Sequence, residues 1–125
     1  MTKIFSVADL PELLLEFSNA NATAKTAERS EQDARAKRYT HEEAAHNFEE
    51  REATSTDPVE WASCKRDREM NEKWAVVYTK EEHANRDIAI EQRVIAAAAR
   101  EKIAQVRRDE KAAKAKRTAD IEDLM

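Results

Sequence analysis

Not one glycine occurs in the 125 residues of this chain, where average usage would place about nine. Glycine supplies the positive-φ positions of tight turns, phosphate-cradling loops and nucleophile elbows, so its absence argues against folds with many reversals and against most loop-borne active sites. Few, long elements are expected.

The other residues point the same way. Ala, Glu, Lys, Leu and Arg make up 68 of the 125, and Ala alone 23, a bias that goes with long helices and coiled coils. Leu, Ile, Val and Phe total only 20. Alanine costs little to place in a helix but buries little surface. The expected fold is therefore all-α: one elongated unit over 1–125, a long antiparallel, coiled-coil-like helical hairpin whose narrow seam calls for a partner or self-association.

The stretch ATSTDPVEW, residues 53–61, marks the reversal. Asp57 can cap a new helix, Pro58 fits its first turn, and Glu60 stands where it would complete a capping box. Thr54, Ser55 and Thr56 are weak helix formers and end the earlier helix. Ser6 with Asp9 is a similar start signal. This divides the chain into a first helix over 8–53, a hinge over 54–57, a second helix over 58–119 and an acidic tail over 120–125. Two places in the first helix are open to a break: SNANAT at 18–23, where Asn and Ser compete with the helical backbone, and 39–40. There YTHEE at 39–43 echoes YTKEE at 78–82, each reading as a capping box that would give four helices.

On a helical wheel centred on Ile88, the residues Met70, Trp74, Val77, Ala84, Ile95, Ala99, Val106 and Ala113 gather on one face, with Glu81 as a weak point. The spacing lies closer to 11 than to seven residues, which predicts nearly straight or slightly right-handed packing. Ile90, Val94 and Ala97 lie on another face. That second apolar face marks them as an oligomer contact, against the plainer reading of a locally apolar helix. Trp61, Trp74 and Tyr78 read as helix packing before interface anchors.

If the helices reverse at 54–58, facing residues have numbers totalling about 112–116. That opposes Leu10, Leu13, Leu14 and Phe17 to Ile95, Ala99, Ile103 and Val106, with Tyr39 near Trp74. Charge agrees: residues 1–60 carry seven bases and 13 acids, whereas 93–117 carry nine bases and three acids. Beyond residue 106 no first-helix acid remains to face the bases. Arg107, Arg108, Lys111, Lys114, Lys116 and Arg117 are thus the candidate partner-binding residues. An acidic protein surface is the expected partner. Interspersed acids and the lack of aromatics make nucleic acid a weaker alternative, and few large apolar residues count against a membrane.

No catalytic, cofactor-binding or metal-ligating set stands out. Glu43 and His46 have the Glu-x-x-His spacing of di-metal helices, but Lys80 stands where the matching pair with His83 would need a carboxylate. The single Cys64 excludes an internal disulfide and fits a structural thiol in a reducing compartment. No apolar run approaches the roughly 18 residues of a membrane span, and the N-terminus does not read as a signal peptide. The expected protein is soluble, cytoplasmic in the producing or host cell, and non-enzymatic. Its expected role is assembly, scaffolding or adaptation through self-association and a basic helical end. The alternative is a small helical inhibitor of one enzyme or nucleic-acid machine, with direct nucleic-acid binding third.

Overall fold

The computed structural model describes residues 4–125 and is an all-α helical hairpin. One 3-10 turn, Val7–Asp9, leads into α1, Leu10–Thr54, and α2 follows as Pro58–Leu124. The Asp9 carboxylate accepts hydrogen bonds from the Ser6 amide at 2.8 Å and the Ser6 hydroxyl at 3.3 Å. Pro11 then sits in the first turn of α1, where its missing N–H costs no helical bond.

The reversal takes three residues, 55–57, and none of the described residues has a positive φ. Side-chain oxygens do what glycine does elsewhere. Asp57 Oδ1 caps the Val59 amide at 3.0 Å. The Asp57 amide, which a capping box would assign to Glu60, donates instead to Ser55 Oγ at 3.3 Å. Thr54 turns its hydroxyl back to the Glu50 carbonyl at 3.1 Å, and the Arg51 carbonyl accepts from the Ser55 amide at 2.9 Å, closing the last turn of α1.

Neither helix breaks at the weak places. At both YT echoes the threonine hydroxyl donates to the carbonyl four residues earlier, Thr40 to Ala36 at 3.1 Å and Thr79 to Ala75 at 2.8 Å. That bond is made within a continuing helix and leaves no cap. Residues 18–23 are helical throughout. The stretch expected as an acidic tail is also helical, because residues 120–124 hold neither glycine nor proline to stop α2 at 119.

The chain divides into two compact units, Met1–Ala24 with Ile90–Met125, and Lys25–Ala89; we call them the terminal unit and the turn unit. In the terminal unit Leu13, Ile103 and Val106 are buried together, and Phe5, Leu10 and Phe17 pack against them. Ala20, Ala24, Ala96 and Ala99 complete its core. This is the apposition the residue arithmetic expects, except that Leu14 is exposed and Ile95 only half-buried. In the turn unit the buried positions are Ala27, Ala34, Ala45, Cys64, Ala75, Glu82 and Ala89.

The phase of the seam differs from the wheel centred on Ile88. Buried or half-buried positions recur every seven residues: 17, 24, 31, 38 and 45 with 13, 20, 27 and 34 in α1, and 75, 82, 89, 96 and 103 with 85, 92, 99 and 106 in α2. This is the heptad spacing of coiled coils, not an 11-residue period. Of the predicted face only Ala99 and Val106 are buried, while Met70, Trp74, Val77 and Ile88 are exposed; the weak-point Glu81 is exposed and its neighbour Glu82 is the buried acid. Helix pairs separate according to the side chains between them. Alanine at the inward positions lets backbones approach and leaves bulkier residues beside the seam.

Candidate interaction surfaces

Inside the turn unit the seam is charged. The Glu82 carboxylate is 2% exposed and accepts from Arg35 Nε at 2.9 Å, Arg38 Nε at 3.0 Å and an Arg86 guanidinium nitrogen at 3.4 Å. Glu31 takes the outer faces of Arg35 and Arg86 at 3.2 and 3.1 Å. The Arg35 hydrogen bond, reinforced by the Arg38 charge against the cost of burial, holds the Glu82 carboxyl below its usual range. The arginines respond in the opposite sense. Arg35 is raised by its bond to Glu82, and Arg38, despite desolvation, by the charges of Glu82 and Glu42. Arg68 repeats the motif on a smaller scale, donating to Glu52 at 2.7 Å and Glu72 at 3.0 Å, and is raised by those two bonds.

Next to this network three rings stack. His41 lies 5.5 Å from Tyr78 and 6.1 Å from Trp74, centroid to centroid. Its Nδ1 meets Asn71 Oδ1 at 2.8 Å. Asn71 Nδ2 already donates to the Asp67 carbonyl, so Oδ1 is the acceptor and Nδ1 carries the proton. The place expected for Tyr39 beside Trp74 is thus taken by His41, and Tyr39 instead lies under the Arg38 guanidinium at 4.7 Å. The His41–Asn71 bond and the ring contacts of His41 with Trp74 and Tyr78 join α1 to α2 within the turn unit.

Of the Glu-x-x-His match, His46 Nε2 lies 3.2 Å from Glu50, both well exposed, and among the described residues no three His, Cys, Asp or Glu side chains converge. Cys64 is buried in the seam. No helix among the described residues is long and apolar enough to cross a membrane.

The terminal unit holds the predicted binding residues. Val106 is the last buried residue of α2, and every residue from Lys111 to Met125 is exposed. The helix therefore runs on for about 27 Å beyond Val106 with no covering helix among the described residues. The six cations on this extension are exposed but not equivalent. Arg108 is tied to Gln105 at 2.8 Å and Glu101 at 3.4 Å, Lys114 pairs with Glu110 at 3.2 Å, and Arg117 Nε donates to the Ala113 carbonyl at 3.4 Å. Arg107, Lys111 and Lys116 make no hydrogen bond or ion pair with the described residues.

Ile90 and Val94, the predicted oligomer contact, are 58% and 64% exposed, and Ala97 is exposed beside them. Helical spacing puts Ile90 and Ala97 on one stripe with residues 93, 100, 104, 107, 111 and 114. The apolar contact and part of the basic site are therefore one surface. Of the six predicted cations Arg107 and Lys111 lie on it, Arg108 stands in line with Ile90 five turns on, Lys114 lies at its edge, and Lys116 and Arg117 point elsewhere around the helix. Arg93 and Arg100 join the stripe and were missed by a reading confined to the overhang; their seven-residue spacing with Arg107 was the signal that could have found them. Beside the stripe, Phe17, Asn21, Ala96, Arg100 and Ala104 line a groove of about 330 Å³, across which Arg93 donates to Asn21 Oδ1 at 2.7 Å.

Comparison with protein-family models, with curated proteins and with solved structures gives no match.

Proposed function

We propose that this protein is a non-enzymatic assembly or adaptor factor that self-associates and offers the basic edge of α2 to an acidic protein surface. The observation that carries the reading is the extension of α2 past Val106, fully exposed from Lys111 onward and basic over 107–117, continuous with the exposed Ile90 and Ala97. A lone helix of this kind gains nothing from intramolecular packing. It becomes useful when another surface covers it.

The charged seam supports the same role. Ion pairs at inward heptad positions select partner and register more than they add stability.

Light scattering over a range of concentrations tests the proposal. The chain should form dimers or larger species, and Ile90→Lys with Val94→Lys should weaken them without changing helix content by circular dichroism. A chain that stays monomeric at every concentration would overturn self-association.

A further inference from the structure

The α2 stripe through Ile90, Ala97 and Ala104 carries cations at 93, 100, 107, 111 and 114; of the four acids between 90 and 114, Glu101 borders the stripe and is tied to Arg108, and Glu110 pairs with Lys114. Cations seven residues apart stand about 10.5 Å from one another along a helix. Arg100, Arg107 and Lys111 have no hydrogen-bond or ionic partner among the described residues. Three of the five cations of this ladder are thus open to a partner.

Its complement is on α1 in the turn unit. Glu42, Glu43, Glu49 and Glu50 are exposed and form two adjacent pairs seven residues apart, the same spacing of about 10.5 Å. Glu43 and Glu49 have no ion pair with the described residues, Glu42 is held only at 3.4 Å by Arg38, and Glu50 only by His46. The turn unit holds 12 bases and 16 acids, net −4, while the terminal unit holds ten of each.

The geometry points to the Glu42–Glu50 face of a second copy as the acidic surface that covers the α2 stripe, an inference resting on the self-association reading above. Laid antiparallel, Glu49 and Glu50 reach Arg100 while Glu42 and Glu43 reach Arg107. In that register His46 falls opposite Ala104 and Ala53 opposite Ala97, so small residues face each larger or neutral one and the two helices can close. Nucleic acid would satisfy the cations equally. It would leave Ala97, which faces Ala53 in this docking, without a role, and the stripe has no aromatic ring on which a base could stack. The charge pattern sets orientation and partner choice, as complementary edges do in coiled coils.

The test is a charge swap in the full chain. Arg100→Glu with Arg107→Glu, and separately Glu43→Lys with Glu49→Lys, should each weaken association at least about tenfold at low salt, since each removes two pairs worth up to about 1 kcal/mol and sets like charges face to face. Mixing the two variants should restore association, and raised salt should dissolve the native assembly. All four positions are exposed, so helix content by circular dichroism should stay constant. If the native chain associates and both variants associate equally well, this docking is wrong while self-association stands. A native chain that remains monomeric removes both. Binding of a mixed-sequence DNA duplex that needs Arg100 and Arg107, without self-association, would assign the stripe to phosphates instead.

Discussion

In the terminal unit the inward positions are filled by Leu13, Ile103 and Val106, with Leu10 and Phe17 against them. In the turn unit equivalent heptad positions hold Glu31, Arg38, Glu52, Arg68 and Glu82 among alanines. The first arrangement removes apolar surface from water, which is the main source of stability but tolerates many alignments. The second supplies little net stability, because desolvation offsets attraction, but an arginine facing alanine in a slipped alignment would strand its charge. One hairpin thus separates two tasks along its length, cohesion toward the chain ends and alignment toward the turn.

The largest expected effect attacks cohesion. Ile103→Ala removes most of one side of the only large apolar cluster among the described residues and should cost about 2–5 kcal/mol. Denaturant unfolding reads this directly, and a loss well under that range would mean the cluster is not the main source of stability. Next is a pair of substitutions that sharpens the seam assignment. Ala99 has no exposed surface and Ala84 is exposed, although both lie on the face centred on Ile88. Ala99→Leu should overpack and cost about 1–3 kcal/mol, whereas Ala84→Leu should stay within about 0.5 kcal/mol of the parent. Equal losses would return the seam to the Ile88 face.

Alignment is tested by pH. Glu82 has its carboxyl held below the usual range by Arg35 and Arg38, so its contribution is complete above the ordinary glutamate pKa of about 4.3 and fades as pH falls through the lower folded value. Glu82→Gln should be less stable than the parent at neutral pH and lose less on acidification. Parallel pH profiles for the two proteins would show that the buried carboxylate does not control alignment. The smallest effect belongs to Ile121→Ser, on the exposed extension, which should shift stability by no more than about 0.5 kcal/mol.

The reversal was legible because Asp57-Pro58 at the start of α2 is a strong local signal, and the pairing of Leu13 with Ile103 and Val106 followed from counting outward from it. The seam phase was not legible from hydrophobicity. Trp74, Val77 and Ile88 of α2 are exposed, whereas alanine, glutamate, asparagine and glutamine hold inward positions such as 75, 82, 85, 92 and 96. A wheel weighted by side-chain hydrophobicity follows the first set. The seven-residue series Ala75, Glu82, Ala89, Ala96 and Ile103 is visible only when small and polar residues count as seam formers. Of the proposed binding edge, Arg107, Lys111 and Lys114 come from the charge count; Arg93 and Arg100 do not, since they lie where α1 was expected to neutralise them.

The three-residue reversal also sets an order of assembly. Cross-helix bonds join residues 16 apart at Arg68–Glu52, 47 apart at Arg35–Glu82 and 72 apart at Arg93–Asn21. Each step outward closes a loop already shortened by the previous one, so the entropic cost of zippering from Asp57 is spread over many small increments. Hydrogen exchange should accordingly find its slowest amides near the aligned arginines or the apolar cluster and its fastest past Val106, leaving the docking edge as the part that ripens last on a newly made chain.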